Sequence, residues 1–194
     1  MSDFWFYLQL GLQHVLDFNA YEHILFLWAM TLPFSFKHWK KVLLLVTVFT
    51  ITHCLALVAS VFKIVTVEPV LIEFFIPVTI LFTAMYTIFF AKSEKPLNRI
   101  VGPTIATAFF GGIHGFGFST YFKLLISGAS EKTLPLLGFA GGIEIAQSII
   151  VFSVLVLGYI FKDRFRFKGW IYVTVSALII VVITIPLLIK TFPW

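Results

Sequence analysis

The sequence predicts an all-α integral membrane protein: six transmembrane helices in one bundle, both termini outside, preceded by a short N-terminal interfacial or re-entrant helix. Three observations carry this. Hydrophobic residues make up 60% of the 194 positions and charged residues only 12%, against about 25% charged in a soluble domain. The mean hydropathy is +1.01. The apolar residues also fall into separate runs, most of them near the roughly 20 residues that cross about 30 Å of hydrocarbon. Residues 1–194 therefore read as a single polytopic membrane unit without a soluble domain.

The first apolar stretch, residues 4–16, is broken by Asp17 and Asn19 before it reaches spanning length, so it reads as interfacial or re-entrant. It has no basic n-region and no small-residue cleavage site, and no cleaved signal peptide is expected. Spanning segments follow at approximately 20–36, 41–62, 70–91, 100–126, 135–161 and 169–190.

Basic residues set the expected orientation. Lys37, Lys40, Lys41, Lys92, Lys95, Arg99, Lys162, Arg164, Arg166 and Lys168 follow the first, third and fifth spanning segments, while Lys63, Lys123, Lys132 and Lys190 mark the opposite side. The richer side is expected in the cytoplasm, with both termini outside. Tyr21, Trp5, Trp170 and Trp194 fit interfacial anchoring. The net charge of +5 is accounted for by these short clusters, so nucleic acid is not an expected partner. Cys54 is the only cysteine, which rules out an intrachain disulfide and any CxxC motif.

The segments at 100–126 and 135–161 carry glycine-rich stretches, AFFGGIHGFGFS and GFAGGIEIAQS, and Gly111 and Gly115 form a GxxxG spacing. Small residues at that spacing let helix backbones approach closely in lipid.

The informative residues are those that a membrane should exclude. A charge at helix centre costs about 2.5–3.5 kcal/mol on insertion scales unless paired or hydrated. Away from the loops and basic helix ends stand His14, Asp17, Glu22, His23, His53, Glu73, His114 and Glu144. A rise of about 1.5 Å per residue places His53 about 12 Å, His114 about 8 Å, Glu73 about 6 Å and Glu144 about 14 Å below the outer surface. His14, Asp17, Glu22 and His23 fall at the outer mouth. Neutral imidazoles with carboxylates at one depth suit a divalent transition metal. Thr50, Asn19, Gln147 and Ser148 are placed to orient such ligands.

Structural readings stand beside that one. Asn19 and Glu22 have the spacing of a capping box. His14 and Asp17 can be solvated or paired with each other. Glu73 follows Pro69 near a helix start, where an acid is electrostatically favoured. Cys54, about 100° around the helix from His53, reads as packing. His53, His114 and Glu144 have no such alternative.

HVLDFNAYEHILFL, VFTITHCLALVAS, IEFFIPVTI, FFGGIHGFGFS and GGIEIAQ, in this order, resemble the motifs of the HupE/UreJ family of bacterial hydrogenase and urease accessory membrane proteins. That family's first signature is a histidine followed after five residues by Asp-His. Here His14 is followed after seven by Glu22-His23. His53, Glu73, His114 and Glu144 fall on family positions. The resemblance implies a bacterial cytoplasmic (inner) membrane protein that passes nickel, or a related divalent ion such as zinc, with these residues as ligands.

Three functions are compatible with the residues. One is a metal permease, in which Glu22 and His23 capture the ion and His53, Glu73, His114 and Glu144 replace its waters. Another is a membrane-embedded metal-dependent hydrolase or transferase acting on a lipid or lipid-linked substrate, with Glu73 or Glu144 as general base. The third is a structural metal or polar network.

Overall fold

A computed structural model describes residues 2–92, 100–127, 131–164 and 168–193. Lys95, Arg99, Arg166 and Trp194, used above for orientation and anchoring, lie outside the described residues, as does the side chain of Arg164. Among the described residues the chain is helical, without strands. Its α-helices are α1 (Ser2–Leu16), α2 (Glu22–Thr31), α3 (Trp39–Val61), α4 (Pro69–Phe90), α5 (Val101–Ile126), α6 (Thr133–Tyr159) and α7 (Gly169–Lys190). A 3₁₀ turn, Phe36–His38, leads into α3, and a π turn, Ile160–Arg164, ends α6.

Four helical stretches are long and apolar enough to cross a membrane: Phe36–Val61, Pro69–Phe90, Thr133–Lys162 and Gly169–Lys190. With 26 residues α5 has the length, but its glycines, threonines and histidine lower its apolarity. Large apolar side chains cover the outer faces, among them Phe89, Leu124, Val182 and Ile189.

The segment expected at 20–36 is where sequence and structure part. Only the ten residues of α2 are α-helical there, a length of about 15 Å that is too short to span. Pro33 follows soon after its end, supplying no backbone N–H to extend it. Before it, residues 17–21 form a tight break: the Asn19 N–H donates to Asp17 Oδ1 at 2.8 Å and the Ala20 N–H to the Asp17 carbonyl at 3.2 Å. The expected capping box is not formed, because Tyr21 is the N-cap of α2 and no side chain caps it.

A ladder of contacts fixes how α1 and α2 sit against α5. The Tyr7 hydroxyl donates to the Leu125 carbonyl at 3.1 Å. His14 meets Phe118, His23 meets His114 and Phe26 meets Phe110, with ring centroids 4.0, 5.1 and 5.8 Å apart. Thr107 Oγ1 then lies 3.7 Å from Met30 Sδ. As α1 and α2 ascend in number, α5 descends. Both short helices thus run the same way past one long helix.

Glycines set the closest contacts. A side chain on Gly111 would strike Thr52 and the Phe49 carbonyl, and one on Gly115 would strike the His53 carbonyl, so α5 lies directly on the α3 backbone. Likewise Gly138 and Gly142 of α6 meet the α1 backbone at Phe4 and Leu8, and Gly11 of α1 meets Phe139. The two glycine-rich helices therefore spend their small faces on α3 and α1, and touch each other through rings, Phe118 stacking on Phe139 at 5.1 Å.

Candidate metal centre

Four histidines converge where α1 breaks into α2. His14 sits in the last turn of α1 and His23 in the first turn of α2, on either side of residues 17–21. His53 comes from α3 and His114 from α5, and the Gly115 contact with the His53 carbonyl brings those two helices into reach. Ring centroids lie 4.6 Å apart for His14 and His23, 5.7 Å for His14 and His53, and 5.6 Å for His23 and His53. One nitrogen from each of these three rings lies within 4.8 Å of the others. His114 flanks the trio on the His23 side, at 5.1 Å.

The donor chemistry fits a transition metal. His23, His53 and His114 are buried. Among the described residues, His14 Nε2, His23 Nε2, both His53 ring nitrogens and His114 Nε2 are buried without a hydrogen-bond partner. Each buried polar atom left unpaired costs about 1–3 kcal/mol, and a metal ion relieves that cost at every nitrogen it binds. His114 also has the required tautomer. A carbonyl can only accept, so His114 Nδ1 carries the proton donated to the Phe110 carbonyl at 2.8 Å, leaving the Nε2 lone pair free.

Aromatic rings wall the site. Phe49 lies 6.0 Å from His23, 5.9 Å from His53 and 5.3 Å from His114. Phe118 and Phe139 cover His14, and Phe26 covers His114 at 5.4 Å. They keep the imidazoles dry, which raises the penalty for leaving them unpaired. No periodicity marked these rings beforehand, because phenylalanine is abundant throughout the chain.

The carboxylates do not join the group. Glu73 is exposed on α4 and lies beyond its first turn, which holds no acid. Glu144, half-buried on α6, accepts hydrogen bonds from Thr47 at 2.7 Å and Thr50 at 2.5 Å, beside the α3 backbone. Glu22 is half-buried next to His23, within electrostatic reach of Lys190 and Asp17. Asp17 is within electrostatic reach of His14, but one of its oxygens is engaged in the turn. His114 keeps the place in its helix that the sequence gives it. It is mid-helix, about 20 Å from the start of α5 and about 18 Å from its end.

The family model described as HupE / UreJ protein matches residues 1–190. The chain belongs to the HupE/UreJ family. Neither a curated protein nor a solved structure matches it. Family membership and the apolar helices together make it a multi-pass membrane protein.

An apolar cavity of about 300 Å³ lies next to the histidines, between α2, α4 and α5. Phe26 and Phe110 line it, and Phe26 also packs on His114. Phe82 and Tyr86 stand exposed at its rim.

Proposed function

We propose that this HupE/UreJ protein is a permease for a divalent transition metal of the nickel class in the bacterial cytoplasmic membrane. The observation that carries the reading is the meeting of His14, His23 and His53 at a helix break, with buried nitrogens that have no partner among the described residues. Interrupted helices at mid-depth are where transporters place their ion sites. On this reading α1 and α2 form one interrupted crossing, because Tyr7 to Met30 run alongside Leu125 to Thr107, a rise of about 27 Å on α5. With α3 to α7 this makes six crossings, oriented with both termini outside by the basic-residue bias. Glu22, beside His23 at the break, attracts the cation. His14, His23 and His53 then replace its waters, with His114 next in line. The test is ion flux into proteoliposomes, which His53→Ala and His23→Ala should abolish. Tight stoichiometric metal without flux would sink the permease.

A second reading, a membrane-embedded metal-dependent hydrolase or transferase acting on lipid, has one specific support: the apolar cavity that shares the Phe26 wall with His114. Lipid turnover by the purified protein, lost on chelation, would favour it. Against it, neither acid offered as general base reaches the histidines: Glu73 is exposed on α4 and Glu144 is held by Thr47 and Thr50.

A further inference from the structure

Glu144 occupies an oxygen-lined site between α3 and α6, separate from the imidazoles. Its Oε1 faces Thr47 Oγ1 at 2.7 Å and its Oε2 faces Thr50 Oγ1 at 2.5 Å. Thr50 Oγ1 in turn lies 3.2 Å from the Val46 carbonyl and 3.5 Å from Gln147 Oε1. One hydroxyl proton thus faces three acceptor oxygens and can serve only one well. Gln147 is fully buried, and its Nε2 has no partner among the described residues. No basic side chain pairs with Glu144 among the described residues, although it lies in the membrane-capable stretch Thr133–Lys162. An ionised carboxylate in such a position is costly, and a bound cation would offset that cost.

We propose that Glu144, Thr47, Thr50 and the Gln147 amide oxygen form a binding site for a hard monovalent cation of the sodium class. The ligand set decides the class. Carboxylate, hydroxyl and carbonyl oxygens suit hard cations, whereas imidazole nitrogens suit transition metals. The charge decides the valence, because a single carboxylate neutralises a single positive charge in a medium that tolerates no excess. A cation here accepts the oxygen lone pairs that the lone Thr50 proton leaves uncompensated. The site stands one turn of α3 from His53, close enough for the two ions to influence each other. That coupling rests on the permease reading; the site itself does not.

The test uses the full-length protein in detergent, with its melting temperature followed as sodium chloride replaces choline chloride at constant ionic strength. A saturable rise with sodium is expected, lost in Glu144→Gln and shifted to higher sodium concentration in Thr50→Val. Thr50→Val keeps the carboxylate and carries the test alone should Glu144→Gln not fold. His53→Ala should keep the sodium response, and Glu144→Gln should keep its transition metal. An equal rise in choline chloride, a response surviving in Glu144→Gln, an unshifted midpoint in Thr50→Val, or loss of transition metal from Glu144→Gln would each overturn the proposal. Absence of metal flux with the sodium response intact would instead count against the permease alone.

Discussion

His14 and His23 meet edge to face at 4.6 Å, one closing α1 and the other opening α2. The break between them is therefore part of the site. It brings two side chains from consecutive helices to one point, which an uninterrupted helix with the same spacing would not do, since nine residues at a rise of about 1.5 Å each place them about 13.5 Å apart along the axis and on opposite faces.

Removing one imidazole should empty the site. His53→Ala, purified without added ions, is expected to hold at least about tenfold less transition metal than the parent protein, given that even indirect partners of metal ligands are worth 10–100-fold in affinity. Elemental analysis decides it. An unchanged metal content with a lowered melting temperature would make His53 purely structural.

The glycine contacts yield a paired experiment. Gly115→Ala places a methyl group against the His53 carbonyl and Ala56, whereas Gly112→Ala meets nothing within 4 Å. The first should destabilise the protein by about 1–3 kcal/mol through overpacking and weaken metal binding by displacing His53. The second should be neutral or slightly stabilising, since alanine favours helix by about 0.5–1 kcal/mol over glycine. Thermal melts of the two variants provide the comparison.

Phe49 tests the aromatic wall. It is fully buried and touches His23, His53 and His114, so Phe49→Ala should cost about 3–5 kcal/mol. Phe89→Ala, on an exposed outer face, should leave the melting temperature unchanged.

Glu73→Gln should leave both metal content and flux at parental values, because Glu73 projects from the exposed side of α4. A loss of bound metal in that variant would mean that α4 turns inward when the ion binds.

The expected transmembrane segments from 41 onward overlap α3 to α7, because long apolar runs identify membrane helices by length and composition alone. The N-terminal third was harder to read. Asp17 and Asn19 mark a break, but the sequence gives no sign that the helix before it packs along α6. That placement comes from Gly11 meeting Phe139 and from Gly138 and Gly142 meeting Phe4 and Leu8, pairings between distant parts of the chain. For the site, cost arguments singled out His53 and His114 because a buried imidazole needs a reason. They also singled out Glu144, whose partners prove to be Thr47 and Thr50. Charge and depth say which residues need company, and only side-chain direction says which company they keep.

The contact of α1 with α6 also bears on biosynthesis. A segment made early rests on one made much later, Gly11 against Phe139 and Gly142 against Leu8. Contacts so distant in sequence form late, and domains emerge from the ribosome N-terminus first. His14 therefore reaches its place only after α6 has been made. A nascent chain released only as far as α3 lacks the α6 surface against which the helix bearing His14 is held.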